Sequence, residues 1–493
     1  MKRPIPTSRW MPVARKLVER TPPPALAFLA SLLLSLIAIG GEVTVGKDAA
    51  FYLDIAQQVL AKGPGVAFQI FSWPWFSLLL AGTHWLSGVS LELAAYLWCA
   101  FFMAGTCALL VLLTQRFLSG SGYWACLVVL SLPAFNQFRG DILREFGFWF
   151  FSILALWLAQ RWFAAGGWLR AALIQTVIGC AALFRLEAVM LTAALVLCLL
   201  GELSTRQGWL RLLQLNAVPL AAMVLFGSLL LFGGASSPER MLYYVSLLDP
   251  HLLWDRFDLM ANALAESALE KYSRDDARLI IFSGLSTVVL VKFLTLSGPF
   301  ALPLLFPTNW VAVGDYWRKL RPFAWTCLLY FGVLLIFFVQ QRFVNSRYVS
   351  FLHWLAVPLL TMASVLFVRR FARFSKAFVI LALAVMLHNV VSFGAKKTHF
   401  LEASAWLAEH TQRSDTIFYE DSRIAYYAGR GFPTDLPTRE VMMLGEQSKP
   451  YRYLVINGQA DDPELQAWLT QRHRRILAHF SNRRGHGVLI IGE

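Results

Sequence analysis

The chain has 493 residues, of which 57% are hydrophobic and 15% charged, with 18 Trp and 38 Phe, and its mean hydropathy is +0.55. Soluble domains carry about 25% charged residues, so this composition excludes a disordered chain, a fibre and an ordinary soluble protein and indicates a polytopic membrane protein. The formal net charge of +14 is uneven: residues 398–493 hold 11 Lys/Arg against 12 Asp/Glu, whereas residues 1–397 hold 33 against 18. A basic surplus confined to a membrane region signals topology and contact with anionic lipid. Without a basic stripe interleaved with aromatics, nucleic acid is not expected as a partner.

The N-terminus reads as a signal anchor. Lys2, Arg3, Arg9, Arg15, Lys16 and Arg20 precede the apolar run Ala25–Gly41, and the positive-inside rule assigns this end to the cytoplasm. Further apolar runs fall near 71–89, 92–114, 123–138, 146–163, 171–201, 213–233, 279–314, 322–340, 348–367 and 377–393. Links rich in Lys/Arg near Arg116, Arg161 and Arg170, Arg206 and Arg211, Arg318–Arg321 and Arg369–Lys376 are expected in the cytoplasm, and segment 234–278, with eight acids against five bases, outside. The run 171–201 is too long for one span and has basic links on both sides, so it is expected to be two short helices turning at Arg185-Leu186-Glu187 on the outer side. The run 71–89 opens with Trp73-Pro74-Trp75 and reads as a helix lying on the outer surface; 279–292 reads as interfacial, with the span nearer 294–314. The expected count is about 11 spans.

After Lys396-Lys397 the hydropathy drops. Leu401–His410 and Leu465–Arg472 have helical periodicity, and Thr416–Tyr419, Tyr453–Ile456 and Val488–Ile491 have the strand signature. The expected organisation is a basic cytoplasmic segment 1–24, a membrane catalytic region 25–397 with outer loops 42–91 and 234–292, and a small extracytoplasmic α/β domain 398–493. Cys99, Cys107, Cys126, Cys180, Cys198 and Cys327 all lie in apolar runs and read as small buried hydrophobes.

Four places carry chemistry. Lys47 and Asp48 follow the first span, and Asp48 and Tyr52 share one face of any helix starting there. Asp48 reads either as a helix cap or as a base that takes a proton from an acceptor hydroxyl or amine. Arg139-Gly140-Asp141-Ile142-Leu143-Arg144-Glu145 then precedes Phe148–Phe151 at the outer end of a span, as a substrate site or a salt-bridge cluster. Arg185 and Glu187 sit inside an apolar run, where charges must pair or line a polar cavity. Arg342 and Arg347, with Tyr348, lie between two late spans; their guanidinium groups suit a phosphate or a lipid headgroup. The expected topology places all four on the outer side, an arrangement suited to a lipid-linked phosphate donor.

These motifs resemble those of GT-C membrane glycosyltransferases, in the branch of the protein O-mannosyltransferases and the lipid A aminoarabinose transferase. The resemblance rests on Asp48-Ala49-Ala50-Phe51-Tyr52 after the first span, Phe71-Ser72-Trp73-Pro74-Trp75-Phe76, Leu143-Arg144-Glu145 before a Phe-rich span, Phe184-Arg185-Leu186-Glu187, Ser346-Arg347-Tyr348 opening a late span, and Ile424–Arg430 in the tail. Ala49 stands where a second acid is common, Glu145 where Asp is usual, and Leu186 where Pro is usual. The resemblance implies an inverting transfer from a polyprenyl monophosphate sugar to a lipid, glycan or protein acceptor. In it Asp48 and Glu145 are catalytic, Asp48 as general base; Arg347, Tyr348, Arg342 and Arg185 hold the donor phosphate; and Tyr52, Asp141, Glu187 and Lys47 support them. No cofactor is implied, and a divalent cation is not indicated. The expected location is a bacterial inner membrane. A polysaccharide polymerase or ligase using a lipid-linked donor is the alternative, and a lipid-sugar transporter, which predicts internal repeats, a further one.

Overall fold

The computed structural model describes residues 21–232, 249–391, 394–434, 436–444 and 446–493. The basic N-terminal segment up to residue 20 and the part of the loop 234–292 before residue 249 lie outside the described residues. Helices dominate, and among the described residues eight are long and apolar enough to cross a membrane: Pro23–Gly40, Leu91–Phe117, Glu145–Ala165, Arg206–Leu225, Lys271–Leu305, Arg321–Gln341, Ser346–Arg370 and Ala372–Val390. About 11 spans were expected; the shorter apolar helices Gly122–Ser131 and Trp168–Phe184, of 10 and 17 residues, account for part of the difference. Leu29, Leu33 and Leu36, three to four residues apart, are all exposed on the first helix, a surface that only lipid covers at low cost. This is an integral membrane protein.

Proline and charge decide where the apolar runs break. The run 171–201 divides at Arg185: the helix Trp168–Phe184 ends there, Arg185 is extended at φ −148° and ψ 123°, and a 3-10 turn Leu186–Val189 leads into Met190–Leu199. The run 123–138 breaks at Leu132-Pro133, between Gly122–Ser131 and the short turn Pro133–Asn136. The expected interfacial helix in 71–89 is Trp75–Ser87, 13 residues long, about 20 Å against a hydrocarbon core of about 30 Å. The expected division of 279–314 is corrected. The helix Ala277–Ser297 runs unbroken, and 294–314 is not a span: Gly298 turns at φ 53°, and Pro299, Pro303 and Pro307 carry the chain through the 3-10 segments Gly298–Leu305 and Pro307–Trp310. Each proline lacks the N–H that an α-helix requires.

The chain forms two compact units. Of the described residues, one holds those within Met1–Leu36, Trp98–Arg139 and Arg144–Val390; the other holds those within Ile37–Leu97, Gly140–Leu143 and Val391–Glu493. The loop 42–91 therefore groups with the C-terminal region, which a single boundary at residue 397 does not express. The first unit is built around the helix Ser346–Arg370, whose side chains are buried along most of its length. Trp354 stacks on Phe135 and meets Trp149 at 5.7 Å, Ser350 Oγ donates to the Ala134 carbonyl at 2.8 Å, and His353 Nε2 lies 2.8 Å from the Phe293 carbonyl. Such interhelical polar contacts, with close packing, hold helices together where lipid gives no hydrophobic drive.

The second unit contains a four-stranded sheet in the order β1-β2-β4-β3: β1 is Ile417–Tyr419, β2 Tyr453–Asn457, β3 Arg475–Ser481 and β4 Gly487–Gly492. β1 and β2 are parallel, and the other two pairings are antiparallel. Alternation along the strands makes two cores. Ile417, Tyr419, Val455, Val488 and Ile490 pack on Phe400, Ala403 and Leu407 of the helix Thr398–His410, and Phe418, Leu454, Ile456, Leu489 and Ile491 on Leu465, Trp468 and Leu469 of the helix Pro463–Gln471. β3 was not foreseen. It is an edge strand, mostly half-exposed, and begins at the last residue of the basic stretch Arg472-His473-Arg474-Arg475.

One glycine sets the approach of two helices in the first unit. A Cβ at Gly147 would stand 2.4 Å from the Phe184 ring, which is itself stacked on Phe151 and edge-on to Phe102. Gly147→Ala is therefore expected to lower the thermal unfolding midpoint in detergent by an overpacking cost of about 1–3 kcal/mol; an unchanged midpoint contradicts this packing.

Candidate active site

Three of the four charged motifs meet in the first unit. Glu145 opens the helix Glu145–Ala165 and is 4% exposed. Its Oε1 accepts a hydrogen bond from Arg185 Nη1 at 2.8 Å and lies 3.5 Å from Arg347 Nε. Arg185 also donates from Nε and Nη2 to Glu187 Oε1, at 3.2 and 2.5 Å. The Tyr348 ring closes the group: the guanidinium carbons of Arg185 and Arg347 stand 4.7 and 5.2 Å from its centroid, and Arg347 Nη2 lies 3.3 Å from its hydroxyl. Cations over an aromatic face are favourable, the more so when desolvated.

Local structure explains why these residues converge. Arg185 stands where the helix Trp168–Phe184 stops. Asn345 caps the helix Ser346–Arg370 by accepting from the Arg347 N–H, which puts Arg347 and Tyr348 in its first turn. Tyr330, from the helix Arg321–Gln341, donates its hydroxyl to the Tyr348 carbonyl at 3.0 Å, and its ring meets Phe351, which meets Phe148 in turn. Arg185 is the inner, committed cation, with all three nitrogens on carboxylates. Arg347 is the more accessible, its side chain 22% exposed against 8% for Arg185.

Arg342 is placed apart. It ends the helix Arg321–Gln341 in a left-handed conformation, φ 60°. It is exposed and lines an open cleft of about 340 Å³ with Arg256, Leu259, Val339 and Gln340. No hydrogen bond or ion pair among the described residues joins it to the Glu145 cluster.

The remaining motif lies in the second unit. Asp48 is in the first turn of the helix Lys47–Lys62. The cap position is Gly46, so Asp48 stands inside the helix, where the free N–H groups favour a carboxylate. Asp48 is partly buried, Lys47 exposed and Tyr52 buried edge-on against Phe76 at 5.5 Å. Asp141 joins them, its Oδ1 3.7 Å from where a Cβ at Gly46 would stand. The C-terminal region holds this corner from the other side: the Tyr427 hydroxyl accepts the Val45 N–H at 2.7 Å, and Phe432 packs on Phe51 at 5.4 Å.

Sequence reasoning passed over Tyr330 and Asp54. Asp54 is 6% exposed and accepts from Gln58 Nε2 at 2.8 Å; its signal was a carboxylate inside the apolar stretch Phe51-Tyr52-Leu53-Asp54-Ile55-Ala56. Arg139, noted only as part of a motif, is buried and held by Asn136 Oδ1, the Ser31 carbonyl and the Ser31 and Ser35 hydroxyls. Among the described residues no group of three or more His, Cys, Asp and Glu side chains is placed to hold a metal ion.

Neither a protein-family model nor a curated protein matches the sequence. Solved structures do. ArnT from Cupriavidus metallidurans in the apo state is 12% identical, with a TM-score of 0.56 over 97% of this chain and 98% of that one. The same protein bound to undecaprenyl phosphate is 13% identical, with a TM-score of 0.57 over 94% and 97%. The Archaeoglobus fulgidus oligosaccharyltransferase in complex with Zn and sulfate is 12% identical, with a TM-score of 0.56 over 93% of this chain and 72% of that one. The chain therefore shares the fold of these proteins, as the resemblance of its motifs implied, and has a small C-terminal α/β region.

Two consequences are measurable. Glu145→Ala leaves Arg185 and Arg347 facing a buried gap, a loss of roughly 3–5 kcal/mol when a buried partner is removed. It is expected to lower the unfolding midpoint more than Glu187→Ala, because the Glu187 side chain is 32% exposed; equal effects would show that the two carboxylates are equivalent. In the second unit, burial alone would raise the Asp421 carboxyl, but bonds from Arg423 Nε and Nη2 and the Arg423 backbone hold it below its ordinary value. The pair's stabilisation is thus fully present above the unfolded carboxylate value of roughly 4 and is lost as the pH falls through the lower folded value. Asp421→Asn is expected to reduce stability at neutral pH and to flatten its decline on acidification; an unaltered pH profile refutes the assignment.

Proposed function

We propose that this protein is an inverting glycosyltransferase that moves a sugar from a polyprenyl monophosphate donor to an acceptor on the extracytoplasmic side of the membrane. The observation that carries the reading is the likeness to ArnT over nearly the whole of both chains, one of those structures being bound to undecaprenyl phosphate. The buried acid–arginine–tyrosine cluster of the first unit supports it.

In this reading the acceptor hydroxyl or amine attacks the anomeric carbon, its proton passes to Asp48, and the bond from that carbon to the phosphate oxygen breaks as the new one forms. Polyprenyl phosphate is the leaving group. Arg347 holds the phosphate, with the Tyr348 hydroxyl beside it, since a guanidinium pairs well with phosphate oxygens and stabilises charge on departure. Glu145 positions Arg347, and Arg185, bound to Glu145 and Glu187, anchors Glu145. Arg342 offers a second guanidinium toward the lipid-linked donor. Lys47, Tyr52 and Asp141 support Asp48. The N-terminus is cytoplasmic, the C-terminal region faces outward, and the membrane is a bacterial inner membrane.

The test uses purified protein in lipid with a panel of labelled polyprenyl-phosphate sugars and candidate acceptors. Wild type is expected to consume one donor, and Asp48→Asn, folded by its thermal midpoint, to lose turnover by about 100-fold or more, as for a general base. Normal turnover by Asp48→Asn removes the base assignment; consumption of no donor removes the donor class.

A further inference from the structure

The linker from the last membrane helix into the C-terminal region carries basic side chains that neither the fold nor the proposed transfer uses. All belong to the second unit. Phe400 is their hub: from its ring centroid the Arg423 guanidinium carbon stands 4.8 Å away, the Lys397 ammonium 5.6 Å and the His399 ring 4.7 Å. Lys396 adds a further cation, its Nζ 3.7 Å from where a Cβ at Gly41 would stand.

Two of these groups are shielded nitrogens without a hydrogen-bond partner. Lys396 Nζ and His399 Nδ1 have no hydrogen-bond partner among the described residues, and His399 is 4% exposed. Buried polar groups left in this way are rare in folded proteins. Carboxylates stand nearby without relieving them. Asp421 is taken up by Arg423, through its backbone N–H and two guanidinium nitrogens. Glu42 and Asp141 are within electrostatic reach of Lys397, yet neither accepts from Lys396 Nζ. Burial first, and neighbouring positive charge second, disfavour the charged forms of two of these groups. Burial and Arg423 push the Lys397 ammonium down against the pull of Asp421, Glu42 and Asp141, and burial, Lys397, His486 and Arg423 push the His399 imidazole down.

We propose that Lys396, Lys397 and His399, backed by Arg423, form a binding site for a phosphate-type oxyanion where the last membrane helix passes into the C-terminal region. An oxyanion accepts from the lysine ammonium groups and favours the protonated form of the His399 imidazole. Position adds to the argument. With the C-terminal region outward, as proposed above, two lysines directly after the last span oppose the positive-inside rule, and a bound anion offsets that placement. The oxyanion belongs either to a membrane phospholipid headgroup or to a soluble or substrate-borne phosphate.

The test reads binding and involves no transfer reaction, so its failure is distinguishable from failure of the proposed function. The full chain with isotope-labelled histidine is placed in nanodiscs of zwitterionic lipid. The His399 imidazole signal, assigned with His399→Gln, is followed through a pH titration alone, with inorganic phosphate, and with phosphatidylglycerol in the disc. The His399 midpoint is expected to rise by roughly half a unit or more on adding an anion. A response to inorganic phosphate identifies a free or substrate-borne phosphate as the ligand, a response to phosphatidylglycerol identifies a headgroup, and a response to both identifies a site that takes either. The rise is expected to vanish in Lys396→Gln/Lys397→Gln and to persist in Arg483→Gln, on the exposed turn between β3 and β4. Should the double variant not fold, Lys397→Gln alone is expected to shrink the rise. No rise with either anion, or an undiminished rise in the lysine variants, overturns the proposal.

Discussion

Glu145 is a buried carboxylate that ties three separated stretches of chain together, and the membrane unit depends on how its charge is answered. A lone ionised carboxylate is not tolerated at such a position. Here Arg185 comes from a helix end and Arg347 from a capped first turn, while Glu187 balances the extra positive charge. Two acids and two arginines leave the group near neutral, so the unit can bury it. The arginines differ in what they have left to offer. Arg185 spends every nitrogen on carboxylates, whereas Arg347 stays partly accessible beside the Tyr348 hydroxyl. In the proposed mechanism this asymmetry separates the arginine that builds the site from the one that meets the donor.

The second unit is organised around the corner where Asp48 begins its helix. The Val45 N–H, just before that helix, is taken by the Tyr427 hydroxyl, and Phe51 is covered by Phe432. The stretch Ile424–Arg430, legible in the sequence only as a resemblance, thus has a physical role, because Tyr427 within it secures the segment leading to the proposed base. The aromatic rings of Tyr52, Phe71 and Phe76 around the same helix leave little room for adjustment, as a positioned base requires.

Much of this was legible in the sequence because membranes impose severe rules. Length and hydropathy located most of the long helices, and the excess length of the run 171–201, with basic links on both sides, located the break between two helices at Arg185. The misplaced span at 294–314 has a plain cause: hydropathy does not register Pro299, Pro303 and Pro307, which forbid a regular helix while remaining apolar. The strand β3 escaped because a register shift between Ile476 and Ala478 breaks its alternation, and because it sits behind a basic stretch on a sheet edge. Convergence of Glu145, Arg185 and Arg347 was suggested only by shared topology. Their pairing, and the part of Tyr330, depend on rotamers and helix caps that local sequence does not encode.

The measurement that bears most directly on the account is the binding of undecaprenyl phosphate to the full chain in lipid, compared between wild type, Arg347→Gln and Arg342→Gln. If Arg347 holds the donor phosphate, Arg347→Gln weakens binding by about tenfold or more, the loss expected for a charge-assisted hydrogen bond, while Arg342→Gln, outside the cluster, weakens it less. Equal affinity in wild type and Arg347→Gln would contradict the account and leave the buried cluster as a purely structural device.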